Sequence, residues 1–317
     1  MKSCQSIIIF LNRRCPVGCD SCNVAAQADS KDELSPQWLS AFFNRLEGLE
    51  FPGYLIWTGG EPFFSFDSLL TGISLAESNS FHSEILTSGI WFRSQPGWLD
   101  RLAAFRNLSI RVSLDAEHQL KVPFPLVMDL VRRAWELRIE VNFTVREVPG
   151  VPVPVHSYLE DIETQLPEYY RANSKKSRWL HYIPHIPIHA PAPADAQNSN
   201  AAAQVRKQKY KKPCSMLFRD LVIGPDGMAY PCCGFFGFPF HSRLAVGDPL
   251  NESWESLADR RFARPLFKVL LEKGPYGICQ QLKLSPETWG WPSFSIPCHV
   301  CMALFSQEGE NVLERFS

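Results

Sequence analysis

Between residue 6 and about residue 184, short runs rich in β-branched and aromatic residues alternate with longer amphipathic runs. That alternation restricts this part of the chain to repeated βα units around a parallel sheet. Six strands are expected, at residues 6–11, 54–58, 83–87, 108–114, 140–145 and 179–183, with helices between them. The first helix is the best marked. Ser35 can cap it, Pro36 suits its first turn, and Trp38, Leu39, Phe42, Phe43 and Leu46 make an apolar face. Six such units form an incomplete barrel.

Past the sixth strand the composition turns to Pro, Ala, Asn and Ser from residue 187 to residue 203, which reads as a linker or mobile loop. It divides the chain into a barrel at 1–186, a linker at 187–204 and a smaller region at 205–317. In that region residues 218–223, the turn Gly224-Pro225-Asp226-Gly227 and residues 228–231 read as a β-hairpin, followed by a helix near 253–259. No internal repeat is visible.

The formal charge of -1 supplies no global field for nucleic acid or an anionic membrane. The one basic run, Lys207, Lys209, Lys211 and Lys212, reads as a solvated segment. The apolar run at 6–11 is too short for a signal core or a membrane span. A cytoplasmic location is therefore expected, and in a reducing compartment ten cysteines serve as metal ligands, redox groups or catalysts rather than as disulfides.

Three of them, in Cys15-Pro-Val-Gly-Cys19-Asp-Ser-Cys22, directly follow the first strand. They occupy the loop at the strand's C-terminal end, where barrel enzymes place their chemistry. Three thiolates on a four-iron, four-sulfur cluster leave one iron open for a substrate or cofactor. The alternative, a zinc knuckle, needs a fourth Cys or His nearby, and the nearest histidine, His82, is remote in sequence.

This C-x3-C-x2-C spacing resembles the signature of the radical S-adenosylmethionine (SAM) superfamily, whose fold is a partial TIM-like (β/α)6 barrel. Thr58-Gly59-Gly60-Glu61-Pro62 is similar to that family's GGEP motif. Two glycines let backbone approach a ligand closely, and a carboxylate can accept from an amino group; the resemblance makes that ligand the methionine end of SAM. It also implies SAM contacts from Ser88 after the third strand and from Ser113 and Asp115 after the fourth, while Arg146, after the fifth, could pair with the SAM carboxylate. The sequence departs from the family at Ser21, where an aromatic residue is usual before the third cysteine.

A second group, Cys214, Cys232, Cys233, Cys279, Cys298 and Cys301, lies in the C-terminal region. Cys214 and Cys232 flank the expected hairpin, and Cys298-His-Val-Cys301 supplies a C-x2-C pair. With Cys214, Cys232, Cys298 and Cys301 as ligands, this resembles a Twitch domain, the short form of the SPASM domain, which holds an auxiliary four-iron, four-sulfur cluster. Four cysteines also suit a structural zinc, and Cys279 could replace one ligand. His299 reads as a supporting or surface residue and Cys4 as an ordinary buried thiol.

Closer phrases are shared with the radical SAM peptidyl epimerases of epipeptide pathways: Asn12 through Cys22, Thr58 through Glu61, Thr87-Ser-Gly-Ile-Trp91, Asp115-Ala-Glu-His118, Asp226 through Cys233, and Cys298 through Phe305. The resemblance implies conversion of L- to D-residues in a ribosomally made precursor peptide. It implies Cα hydrogen abstraction by a 5'-deoxyadenosyl radical, hydrogen return from Cys233, and an electron donor such as flavodoxin or ferredoxin. Asp220, on the expected hairpin, could hold the peptide or help protonate Cys233, or be a plain strand residue. The competing readings are a radical SAM peptide cross-linker, a small-molecule dehydrogenase, and a non-catalytic zinc-binding interaction protein, which aromatics such as Trp57, Trp91 and Trp291 leave open.

Overall fold

The computed structural model describes residues 4–19, 22, 24–47, 53–147, 155–176, 179–184, 211–285 and 297–316. The expected linker at 187–204, and Ser21, Trp291, Lys207 and Lys209, lie outside them, as does the side chain of Arg146. Contacts divide the chain into two compact units: Ile8–Cys19 with Ala26–His185, and Met1–Ile7 with Asp20–Ala25 and Ile186–Ser317.

The first unit is an α/β partial barrel. Its strands are β1 (Ile7–Asn12), β2 (Tyr54–Gly59), β3 (His82–Thr87), β4 (Leu108–Ser113), β5 (Glu140–Glu147) and β6 (Leu180–Pro184), in the sheet order β6-β5-β4-β3-β2-β1. The pairs from β2 to β6 are parallel. The helices are α1 (Pro36–Leu46), α2 (Phe66–Ser78), α3 (Trp98–Leu102), α4 (Ala116–Gln119), α5 (Phe124–Glu136), α6 (Val155–Gln165) and α7 (Pro167–Asn173). Ser35 caps α1 as its sequence predicts, its hydroxyl accepting from the Trp38 amide at 3.1 Å, and Leu39, Phe42, Phe43 and Leu46 are the buried stripe.

Strand alternation sorts the sheet into two faces. Leu55, Trp57, Ile85, Ile110, Val112, Val141 and Phe143 form a fully buried apolar face. Trp57 on that face lies against Gly72 of α2 and stacks near Phe43 of α1. The other face is polar. Register pairs Glu84 with Ser109 and Arg111 with Asn142, and Glu84 and Arg111 form a buried ion pair at 2.7 Å. A parallel sheet covered on both faces ordinarily reads as continuous apolar strands; here one face departs from that pattern with the Glu84–Arg111 pair.

In the second unit β7 (Leu221–Ile223) and β8 (Ala229–Tyr230) pair antiparallel. The turn between them closes through the Gly224 amide on the Met228 carbonyl at 2.9 Å, with Gly227 at φ 79°. The hairpin is shorter than the sequence predicts, because Phe218 takes a left-handed φ of 59° that ends a strand, and Pro231 has no N–H for a ladder. Three helices follow: α8 (Trp254–Ala263), capped by Ser253, then α9 (Pro265–Gln281) and α10 (Pro297–Arg315). The sequence reading marked only the first of these. Residues 5 and 6 join this unit rather than the barrel, since the Gln5 amide donates to Arg219 O at 2.8 Å and the Leu221 amide to Ser6 O at 3.0 Å. Among the described residues no helix is long and apolar enough to cross a membrane.

Candidate active site

The loop after β1 is anchored at its base. The buried Asn12 side chain donates to Glu61 O at 3.0 Å and to Ser65 Oγ at 2.8 Å, and its Oδ1 accepts from the Arg14 amide at 3.1 Å. The Cys15 amide donates to Gln27 O, and the Gln27 amide returns to Arg13 O, both at 3.0 Å. The chain between these ties carries Cys15 and Cys19, half-buried and free of disulfides, as is Cys22 in the second unit.

Cys19 has a neighbour that sequence reasoning did not single out. His118 Nε2 lies 3.7 Å from its sulfur, while His118 Nδ1 lies 2.9 Å from both carboxylate oxygens of Asp115. Burial pushes the imidazole down, but the hydrogen bonds and charges of Asp115 and Cys19 override it and hold His118 at about 9. Asp115 also accepts from the His118 amide at 3.2 Å and so caps α4. Asp115, 1 % exposed, holds both the ring and the amide of His118. The sequence did carry a signal for the pair, an aspartate three residues before a histidine at a helix start.

The glycine motif packs two strand ends together. A Cβ on Gly59, whose φ is 136°, would collide with Asn12 O, and one on Gly60 would lie 2.5 Å from Arg14 O. The glycines let the end of β2 close onto the chain leaving β1, where the Gly60 amide donates to Asn12 O at 2.8 Å and the Glu61 amide to Arg14 O at 2.7 Å. The Glu61 side chain is wholly buried. Its carboxylate accepts from Thr87 Oγ1 at 2.7 Å, Ser88 N at 2.9 Å, Ser88 Oγ at 2.5 Å and Phe63 N at 3.4 Å. Thr87 Oγ1 in turn accepts from Gly89 N and Trp91 Nε1, both at 3.0 Å. Glu61 and Ser88 bond to each other and lock the end of β3 to the motif. Pro62 opens the short 3-10 turn Pro62–Ser65, and Phe63 stacks on Trp91 with centroids 3.7 Å apart.

Burial raises the Glu61 carboxyl above its ordinary 4.5, against the four hydrogen bonds, which lower it. A raised folded value means that its contribution to stability is full below the ordinary value and is lost as pH rises through the folded one. Unfolding midpoints should therefore fall as pH rises above the ordinary value of 4.5. Glu61→Gln should flatten this fall, at a cost of about 1 kcal/mol for a donor left without its acceptor.

Ser113 ends β4 half-buried, on the same face as Arg111 and beside Thr144 of β5. Arg146 lies in β5 with its backbone paired to Ile183.

No family model and no curated protein matches this sequence. Solved structures do. "Native anSMEcpe with bound AdoMet" aligns with a TM-score of 0.58 at 12 % identity over 98 % of both chains. The same protein with AdoMet and Cp18Cys peptide aligns with the same score, identity and coverage, and with Kp18Cys peptide at 13 % identity, again with a TM-score of 0.58 over 98 % of both chains. The chain has a radical SAM fold. Within it, the loop bearing Cys15 and Cys19 follows the first strand and the Gly59-Gly60-Glu61 motif follows the second.

Beyond the radical SAM barrel, the second unit gathers the remaining thiols. The Cys214 amide donates to Leu270 O at 3.0 Å, which pins that cysteine to α9. Four residues on, Gly274 breaks α9 ahead of Pro275, and a Cβ there would strike Lys212 O. Cys298 and Cys301 lie in the first turns of α10, and Cys279 is fully buried in α9. Burial, then the charges of Cys214 and Cys233, push the Cys298 thiol up to about 12. Burial, then Cys214, Cys298 and Cys279, push Cys301 up as well. These thiols therefore lie within electrostatic reach of one another. Among the described residues, no three His, Cys, Asp or Glu side chains are already arranged as a metal shell.

The neighbouring Cys233, ahead of burial, pushes the Cys232 thiol up, and Cys232 in turn pulls the Cys233 thiol down. Asp220 acts on Cys233 through its charge. Its carboxylate also accepts from Ser6 Oγ at 2.7 Å and from Arg219 Nε at 3.0 Å, so it is held in place rather than free to swing. Cys4 donates to Ser6 O and accepts from the Leu221 amide, each at 3.0 Å, acting as a strand bridge. His299 is buried in α10.

Proposed function

We propose that this chain is a radical SAM enzyme that modifies a ribosomally made peptide, and specifically a peptidyl epimerase. The fold supports the first step of that reading, and the donor set supports the cofactors. Cys15 and Cys19, neither in a disulfide, lie on the loop after β1, with an imidazole beside Cys19. With Cys22 they would hold the four-iron, four-sulfur cluster, and Cys214, Cys232, Cys298 and Cys301 would hold an auxiliary one, with Cys279 as the alternative ligand. Ser113 and Arg146 would meet SAM at the strand ends, as would the backbone of Gly59, Gly60 and Pro62. Thiolates are the form that binds iron, and crowded, buried thiols with raised pKa values gain most from a metal that takes their protons.

The observation that carries epimerisation is the vicinal pair. Cys232 and Cys233 are adjacent in the chain, and adjacent residues do not both fit one cluster edge. Were Cys232 to hold iron, Cys233 would keep its S–H. SAM, bound where three thiolates leave an iron open, would supply the radical chemistry that removes a Cα hydrogen from the peptide. Cys233 then gives its hydrogen atom to the opposite face of the planar Cα, forming the new C–H bond of a D-residue and leaving sulfur one electron and one proton short. A flavodoxin- or ferredoxin-class donor supplies the electron, and solvent the proton. Asp220, fixed by Arg219 and Ser6, would orient the thiol. A peptide substrate is in keeping with the Cp18Cys peptide bound to anSMEcpe.

The test is anaerobic turnover in deuterated water, with SAM, strong reductant and synthetic peptides encoded by short reading frames beside this gene. One deuteron per D-residue and no other mass change are expected. A product lighter by two hydrogens would mean cross-linking or dehydrogenation instead, and colourless protein with stoichiometric zinc would remove the enzyme reading altogether.

A further inference from the structure

Trp57 places the apolar face of the barrel sheet against α1 and α2, so the polar face is the inner one. Register sets Arg111 of β4 beside Asn142 of β5 on that face, as neighbours about 4.8 Å apart across the ladder. Arg111 Nη2 is taken by Glu84 at 2.7 Å. The Nε of Arg111 and the Oδ1 of Asn142 are both buried, and among the described residues neither has a hydrogen-bond partner. Asn142 is 2 % exposed. Arg111 is half-buried, as are Ser113 and Thr144, which pair one pleat nearer the strand ends.

A buried donor and a buried acceptor without partners cost stability, and that cost is recovered when a ligand meets both. We propose that Arg111 and Asn142 form a subsite for a neutral amide of the substrate, its C=O accepting from Arg111 Nε and its N–H donating to Asn142 Oδ1. For the source of that group, a peptide, this rests on the reading above. Charge decides against an ion: Glu84 already neutralises Arg111, so a carboxylate would arrive as an unpaired charge in a buried place. A neutral amide offers one donor and one acceptor and leaves the charge balance unchanged. Two parts of a peptide present such an edge, the side chain of Asn or Gln and the N–H and C=O of one extended residue. Arg111 lies two residues before Ser113, which ends β4, and barrel enzymes work at that end of their strands. A group inserted from there meets Ser113 and Thr144 first and the subsite next.

Saturation-transfer NMR on the full chain, reconstituted anaerobically and kept without reductant, reads the binding of small probes. These are propionamide for the side chain, N-acetylalanine N-methylamide for the backbone, and propionate as the charged control. Wild type should bind an amide saturably, the tighter of the two naming the source, and propionate about tenfold more weakly. Asn142→Leu should weaken that amide about tenfold. Its thermal unfolding midpoint should stay at or above wild type, since leucine replaces an acceptor that nothing in the free chain meets. Arg111→Lys keeps a charge for Glu84, loses the Nε donor and should weaken the amide as well. The subsite is overturned if wild type binds neither amide, if propionate matches the amide, or if either variant binds as wild type does. It is overturned too if Asn142→Leu melts below wild type, which would make the amide part of the fold. Amide binding by a protein that yields no D-residue removes the epimerase reading and leaves the subsite. D-residues from a protein indifferent to both amides remove the subsite alone.

Discussion

Cys233→Ala is expected to uncouple SAM cleavage from product: 5'-deoxyadenosine should still form with peptide present, while D-residue yield falls to the background of peptide alone. The variant removes the thiol that directly follows a proposed ligand and touches neither Cys15 nor Cys19 nor the Gly59–Gly60 turn. Alanine fills most of the space of a buried cysteine, so folding should survive. Chiral analysis of hydrolysed peptide, run beside quantitation of 5'-deoxyadenosine, reads both halves. Cys232→Ala is the necessary contrast, because it should lower iron content, which Cys233→Ala should not. D-residues at the wild-type level in the Cys233 variant would remove the thiol from the reaction and leave epimerisation without a donor in this chain.

The second large effect is on folding. Gly59→Ala places a Cβ against Asn12 O on a residue whose φ of 136° few side chains tolerate. Backbone strain of this kind costs about 1–3 kcal/mol, and forcing an atom into packed surroundings adds about 1–3 kcal/mol. A loss of about 4 kcal/mol is therefore expected, a large part of the stability of an ordinary domain. Gly97→Ala is the control, since its added Cβ meets nothing within 4 Å. Urea denaturation of the two apoproteins measures the difference. A Gly59→Ala protein within about 1 kcal/mol of wild type would mean that β2 does not close onto β1 as described.

How far the sequence could be read depended on how local each determinant was. Strand ends and the α1 cap follow from neighbouring residues: Ser35 with Pro36, and the apolar period from Leu39 to Leu46. These were legible and lie where expected. Phe218 was not, because a left-handed phenylalanine leaves no mark in composition, and it shortened the hairpin. The kinked α9 was missed because Gly274 and Pro275 read as breakers, whereas the contact with Lys212 O is what makes a break there tolerable.

At the site, the hydrogen-bond partners of the named residues were not legible in the sequence. Nothing near Glu61 in sequence says that its acceptors are taken by Thr87 and Ser88, more than 25 positions away. The same holds for Asp115: its commitment to His118 is local, but the sulfur at the far end of that imidazole lies 99 positions back along the chain.

Asn12 ties three pieces of chain with one side chain: the start of the thiol loop, the Glu61 carbonyl and the Ser65 hydroxyl. Drift at any one of these positions strips a partner from the other two, so divergent lineages should change Asn12 and Ser65 together or not at all. Loop and motif would then be inherited as one unit.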